Sequence, residues 1–348
     1  MKHSTNKIIL VFAIILTIAN ARSFAQDQHF SQFRETPVLI NPAQTALNKD
    51  IRVIMNYKDQ WRSVTSPYKT FAFSTECAIN HKKNKDNYIT MGLQFLNDKA
   101  GDSQMKTTKA LLSLNGILKI TKTQKLALGI IGGIAQNSIN YNGLKWGSQY
   151  DGTNYNSAIT TTEPIGVNSF IYSDIGAGVV WNYGKEQKYI NAKDGIRATV
   201  GFSAFHFGLP KYSYYKKTGE TLNTKFIAHA NMEINLTSKN LILIPELLYA
   251  QQGSLFEVNT GIMFKYLLQE SSKYTDIKNA SAYALGIHYR VRDAIIATAL
   301  YEYSNYAIGI SYDVNISKLR SVSNFKGGFE ITLRFVTPSQ FRKTKARF

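Results

Sequence analysis

Apolar and polar residues alternate along most of this chain with a period of two. Between Lys225 and Leu236, residues Phe226, Ala228, Ala230, Met232, Ile234 and Leu236 fall on one side. Lys225, His229, Asn231, Glu233 and Asn235 fall on the other, and Ile227 is the one exception. Successive side chains of a β-strand point to opposite faces, so this stretch is a strand with one apolar and one polar face. The pattern recurs. Ile51, Val53, Met55 and Tyr57 oppose Arg52, Asn56 and Lys58; Ile89, Met91, Leu93 and Phe95 oppose Thr90, Gly92 and Gln94. Ile175, Ala177, Val179, Trp181 and Tyr183 oppose Gly176, Gly178 and Asn182. Phe256, Val258, Ile262, Phe264 and Tyr266 oppose Glu257, Asn259, Gly261 and Lys265, and Tyr283 to Tyr289 alternate against Gly286, His288 and Arg290. Phe329, Ile331, Leu333 and Phe335 oppose Gly328, Glu330, Thr332 and Arg334.

Fourteen such segments of about ten residues follow one another with no helical pattern between them. Their apolar faces lack Lys, Arg, Asp and Glu, as a lipid-facing surface requires, because a charge at mid-membrane costs about 2–4 kcal/mol there. Tyr and Phe recur at segment ends, where interface girdles sit. A soluble β-sandwich is the competing reading, but sandwiches seldom sustain so many long, uniformly alternating strands. The pattern therefore predicts an all-β fold, a transmembrane antiparallel β-barrel of about 14 strands in the outer membrane. Three blemishes remain: Leu111 and Ile117 break a face of the run Met105–Lys119, and Pro245 lies inside a strand, where a bulge or weak pairing must accommodate it.

The ends of the chain read differently. Lys2 and Lys7 flank a charged start, Ile8–Ala19 is a short apolar run, and Ser23-Phe24-Ala25 precedes a cut at Gln26. Residues 1–25 are thus expected to be a secretory signal peptide. Residues 26–50 form an irregular, periplasmic or plug-like lead-in, 51–336 the barrel, and 337–348 a basic tail. After Ala25 no apolar run approaches the roughly 18 residues of a transmembrane helix. The longest break is Asn137–Ile171, and a Pro- and Tyr-rich loop surrounds Pro210–Tyr215. If the N-terminus is periplasmic, the long breaks after segments five, seven and thirteen all fall outside.

The net charge of +18 suggests nucleic acid, but the lysines sit at breaks between apolar runs, as in His81-Lys82-Lys83-Asn84-Lys85, Thr121–Lys125 and Lys185–Lys188. Such lysines are solvated or meet anionic head groups. The lipid bilayer is therefore the expected partner and nucleic acid is not. Cys77 is the single cysteine, which rules out an internal disulfide framework. The histidines are scattered without metal-ligand spacing, and no nucleophile motif occurs. Asp151-Gly152-Thr153-Asn154 is a calcium-loop fragment without the remaining ligands. No enzyme activity, cofactor or metal is expected. Lys225, His229, Glu233, Glu257 and Arg290 are expected on the lumen wall. Carboxylates of Glu76, Glu233, Glu246, Glu257, Glu302 and Glu330 would pair there with Arg197, Arg290 and Arg334, as in a packed or plugged lumen.

Several motifs, in order, resemble the PorP/SprF family of type IX secretion system outer-membrane proteins of Bacteroidetes. They are the opening Gln26-Asp27-Gln28-His29-Phe30-Ser31-Gln32-Phe33 with Asn41-Pro42-Ala43, then Tyr57 with Gln60-Trp61, then Leu96-Asn97-Asp98-Lys99. Asp174-Ile175-Gly176-Ala177-Gly178 and the barrel-closing Gly328-Phe329-Glu330-Ile331-Thr332-Leu333-Arg334-Phe335 complete the set. This chain departs from the commoner pattern by continuing past Phe335. The resemblance implies a component that works with the ring and motor subunits of type IX secretion and supports export or surface attachment of adhesin-like cargo, including that of gliding motility. Within it, His29, Phe30, Gln32, Phe33, Asn41, Pro42, Gln60, Trp61, Asn97, Asp98, Asp174, Gly176 and Gly178 are candidate partner contacts. The alternative from the residues alone is an outer-membrane channel for small molecules.

Overall fold

A computed structural model describes residues 27–64, 66–79, 87–141, 144–185, 195–215, 220–236, 240–269, 280–318 and 320–337. The expected signal peptide, the lysine turn 81–85, residues 186–188 and the tail beyond Thr337 lie outside the described residues.

The strands are β1 (Ile51–Gln60), β2 (Tyr68–Ala78), β3 (Tyr88–Ala100), β4 (Met105–Lys119), β5 (Gln124–Ser138), β6 (Ser169–Lys185) and β7 (Ile196–Phe205). They continue with β8 (Lys225–Asn235), β9 (Leu241–Gln252), β10 (Leu255–Gln269), β11 (Ser281–Arg290), β12 (Ala294–Tyr303), β13 (Tyr306–Asn315) and β14 (Lys326–Thr337). Each pairs antiparallel with its neighbours in sequence, and β1 pairs with β14 from Ile51↔Thr337 to Gln60↔Gly328, closing the barrel. The expected 14-strand antiparallel barrel is therefore present, and Gly328–Phe335 lies on the strand that closes it. Closure leaves no unpaired sheet edge, which is what allows strands to cross a bilayer. The two longest connections, 139–168 and 206–224, open at one end together with 316–325, the long-loop end, and the other end carries connections of at most eleven residues, 270–280 the longest and 304–305 the shortest.

The outward faces are apolar. On β8, Phe226, Ala228, Ala230 and Met232 face out, and Ile227, His229 and Glu233 face in. Pro245 fits without a bulge. β8 and β9 keep one register from Lys225↔Gln252 to Asn235↔Ile242, but no pairs join them between Asn231↔Glu246 and Ile234↔Leu243. Pro245, which lacks an N–H, sits in that gap.

The polar-inside rule is broken repeatedly. Leu111, Ile117, Ile131, Val180, Phe205, Ile227 and Leu248 are lumen-facing and buried. What buries them is the chain that precedes β1.

Candidate functional site

Residues 27–50 form no sheet, so their polar groups need partners elsewhere. A 3-10 turn at Phe33–Glu35 leads into one helical turn, α1 (Pro37–Ile40), with Pro37 at the first position, where its missing N–H costs nothing. Asn41 then caps a second 3-10 turn, Pro42–Gln44, its side chain accepting from the Ala43 N–H at 2.9 Å. The segment threads the lumen from end to end. At the long-loop end the Asp27 N–H donates to Gln252 Oε1 at 3.0 Å. At the opposite end the Asp50 N–H donates to the Thr337 carbonyl at 2.7 Å.

Between these ends the lead-in is fastened by charge. The amides of Ser31 and Gln32 donate to the two oxygens of Glu330 at 2.6 and 3.0 Å. Lys58 reaches the same carboxylate at 3.1 Å and donates to the His29 carbonyl at 3.0 Å. Arg290 spans Ser31 Oγ (3.2 Å), Asp313 (2.5 Å) and Asp293 (2.6 Å). Arg34 takes Glu233 and, at 3.3 Å, Glu246; Glu35 takes Arg334 at 2.5 Å, which also holds Glu302 at 2.6 Å. The Ala46 N–H donates to Glu76 Oε2 at 2.6 Å, with Arg52 on the same carboxylate. Charges this buried persist only when paired and hydrogen-bonded, so lead-in and wall are each incomplete without the other.

Apolar contacts follow the same path. Phe30 packs on Ala72 and Leu96. Phe33 and Val38 fill a cluster with Leu111, Ile131, Phe205, Ile227 and Leu248, and Ala43 joins Ile117, Ala127 and Val180. The Asn41-Pro42-Ala43 step lies so close to the wall that a Cβ at Gly178 would stand 2.1 Å from Asn41 Oδ1, and one at Gly129 2.5 Å from the Ala43 nitrogen. Glycine is needed at both positions for this approach. The Asn41 amide donates to the carbonyls of Val179 (3.1 Å) and Phe202 (3.2 Å) and lies 3.2 Å from His229 Nε2.

The candidate residues thus fall into two groups. Phe30, Gln32, Phe33, Asn41 and Pro42 are buried against the wall, and His29 lies 3.5 Å from Glu257. Gly178 and His229 are the wall they meet. Asp98 faces in and accepts from Thr70 (2.6 Å) and Gln28 (3.2 Å), and Lys225 lines a small cavity with Asp27 and Glu257. The others lie away from the lead-in. Trp61 has φ 58° and rests edge-on against Tyr68 at 4.9 Å, with Gln60 preceding it. Asn97 faces outward and donates to Thr108 at 2.8 Å; Gly176, by contrast, lies under Phe205 and Ile131, the wall residues on which Phe33 and Val38 of the lead-in pack.

The pairing expected from sequence needs correction. Arg197, although 68 % exposed, does pair with Glu233 at 3.6 Å, and Arg334 pairs with Glu302 at 2.6 Å, as expected; the correction falls on Arg290. Arg290 pairs with Asp293 and Asp313. Most of the expected carboxylates are met by lead-in groups or by Arg52, Lys58, Lys265 and His288. Arg34 and Glu35 belong to no motif of the sequence, while Ser31 appears there only within the opening motif and Lys58 only on the polar face of a strand; the signal for a filled lumen was the set of apolar residues on supposedly polar faces. Two cavities between lead-in and wall measure about 20 Å³, beside Arg34, Glu35 and His288, and about 10 Å³, beside Asp27 and Lys225, each room for a water at most. Among the described residues no cluster of His, Cys, Asp and Glu could hold a metal.

Where the lead-in meets the long-loop end, His206 bridges Asp174 (2.7 Å) and Asp27 (2.9 Å), and Lys109 reaches Asp27 at 3.1 Å. Burial alone would depress the His206 pKa, but its hydrogen bonds to Asp174 and Asp27 outweigh that and raise it. Above this bridge the two long loops form one platform. The Val167 N–H donates to the Tyr214 carbonyl at 2.7 Å, and Phe170, Tyr172, Tyr212 and Tyr214 pack ring on ring. Asp151 is an Asx turn, its carboxylate accepting from the amides of Thr153 and Asn154 at 2.8 Å each. The Asn154 and Thr153 amides hold its pKa below the usual carboxylate value. At the opposite rim, burial and the guanidiniums of Arg334 and Arg52 bring Lys49 down to about 8.

Among solved structures the chain is similar to a mutant of the TodX monoaromatic hydrocarbon channel (9% identity, TM-score 0.45, covering 87% of this chain and 93% of that one). It is also similar to a FadL homologue of Pseudomonas aeruginosa (10%, 0.45, 85% and 92%). CdiB from Acinetobacter baumannii matches at 6% identity and TM-score 0.41 over 83% of this chain, which spans 60% of CdiB. No protein of curated function matches. Residues 22–335 match the family described as Type IX secretion system membrane protein PorP/SprF. The chain belongs to the PorP/SprF family of type IX secretion system membrane proteins.

Proposed function

We propose that this outer-membrane barrel serves type IX secretion as a plugged scaffold that supports export or surface attachment of cargo such as adhesins, including those used in gliding. The observation that carries this reading is the packed lumen. The lead-in motifs that mark the family resemblance, His29–Phe33 and Asn41–Ala43, are spent on filling the barrel. Partner surfaces are therefore sought at the two rims. Ring and motor subunits would meet the short-turn rim, where Asn48 is exposed. Cargo would meet the platform of loops 139–168 and 206–224, which is rich in Tyr, Asn and Gly, residues that suit an adaptable protein-binding surface. A small-molecule channel draws no support from the lead-in segment that threads the lumen from Asp27 to Asp50 and is bonded to the wall at both ends.

Deletion of the gene in its native host tests the reading. Secreted adhesins should disappear from the cell surface or the medium, and the tagged protein should co-purify with ring subunits. Wild-type levels of surface adhesin in the deletion strain would sink the proposal.

A further inference from the structure

Three lysines stand at one height on the outward face of adjacent strands. Lys69 of β2 lies directly opposite Lys99 of β3, and Lys99 directly opposite Lys106 of β4. All three are exposed. Directly opposed residues of an antiparallel pair have Cβ atoms about 4.5–5.5 Å apart, and like charges so placed repel each other. The neighbouring acids face other partners. Asp59, opposite Lys69 on β1, takes Arg62 at 2.5 Å; Asp102 in the β3–β4 turn accepts from the Ser66 hydroxyl at 2.6 Å; Asp98 points into the lumen. A row of three like charges in register calls for an anion that bridges them.

What lies beneath the row says which anion. One step toward the membrane, Phe71, Asn97 and Thr108 form the next outward tier, with the Asn97 amide bonded to the Thr108 hydroxyl at 2.8 Å. The following tiers, Phe73–Phe95–Ala110 and Thr75–Leu93–Leu112, are the lipid-facing belt. At about 3.4 Å per residue, the lysines stand about 14 Å along the strand from the Phe73 tier. Cation, hydrogen-bonding tier and apolar belt follow one another as phosphate, sugar and acyl chain do in a phosphorylated glycolipid. Across the barrel, near the same end, Tyr289, Tyr312 and Phe329 face outward instead.

We propose that the β2–β4 face at the long-loop end binds a phosphorylated glycolipid of the outer leaflet. Lys69, Lys99 and Lys106 hold its phosphates, Asn97 and Thr108 meet its sugar, and Phe73, Phe95 and Leu93 contact its acyl chains. The assignment rests on the reading that the long loops face outward.

The test compares wild type with K69Q/K99Q/K106Q, and with K69R/K99R/K106R as the charge-retaining control. Each is purified as the full chain and placed in phosphatidylcholine nanodiscs containing diphosphoryl lipid A or its dephosphorylated form. Retained lipid is counted by native mass spectrometry. Wild type and the arginine variant should retain diphosphoryl lipid A, and the glutamine variant should bind it at least about tenfold more weakly. Dephosphorylated lipid should be retained poorly by all three, and free inorganic phosphate should not compete. Equal retention by the glutamine variant, indifference to the lipid phosphates, displacement by inorganic phosphate, or preference for an anionic glycerophospholipid would each overturn the site. A tag inserted after Gly152 and probed on intact cells checks the orientation separately. Surface labelling without lysine-dependent retention overturns the site alone, and no labelling overturns the orientation on which it rests.

Discussion

Gly178 shows how one missing methyl group governs the lumen. Its hydrogen faces Asn41 Oδ1 at a distance no side chain can share, and Asn41 in turn is bonded to two wall carbonyls. Gly178→Val should displace the Asn41-Pro42-Ala43 step and destabilise the folded barrel by about 1–3 kcal/mol. The readout is faster proteolysis of the lead-in together with a lower urea midpoint. Ala230, on the outward face at mid-strand, tests the other side of the wall. Ala230→Arg should cost about 2–4 kcal/mol and block assembly. Asn231→Arg, which points inward beside Glu233 and Glu246, should still yield heat-modifiable folded barrel on gels.

Each strand carries two messages, and only one of them is readable at short range. Alternation fixed the face of nearly every strand residue because a period of two needs only neighbouring positions. The lead-in was legible only as an absence of period. Its seats, Leu111, Ile117 and Ile227, stood out in the sequence as interruptions of polar faces, and their meaning depends on Phe33, Val38 and Ala43, some 70 to 190 residues away. The ion pairs were half legible for the same reason, since wall carboxylates were visible but Arg34 and the Ser31 and Gln32 amides were not. Where lead-in, β6 and the end of β7 meet, His206 supplies a pH-dependent fastening, faced by Asp27, Asp174 and Lys109. Its folded pKa lies above the unfolded value of about 6.5. The stability it contributes is therefore fully present below about pH 6.5 and lost as pH rises through the folded value. Urea midpoints should fall over that alkaline limb in wild type, and His206→Gln should flatten the slope.

The whole molecule behaves as a cylinder whose contents are also its bracing. Removing residues 29–46 would vacate the lumen but also strip Glu330, Glu246 and Glu76 of buried partners. The variant should fold in lower yield, and its surviving barrels should conduct ions in planar bilayers, while the full chain stays closed. Steady conductance of the full chain would contradict the plugged reading. The same bracing dictates an order of events during biogenesis. Ser31 and Glu330 are separated by 299 residues in the chain, so the lead-in meets its partner only when β14, the last described strand, joins the sheet. Contacts so distant in sequence form late and slowly. The earliest described segment must therefore be held inside a still-open sheet until the final strand arrives, and zipping β14 onto β1 seals the cylinder and locks its contents in one step. A chain that stops before Gly328 lacks both the seam and the lock, which makes capture of the lead-in a built-in report that the barrel is complete.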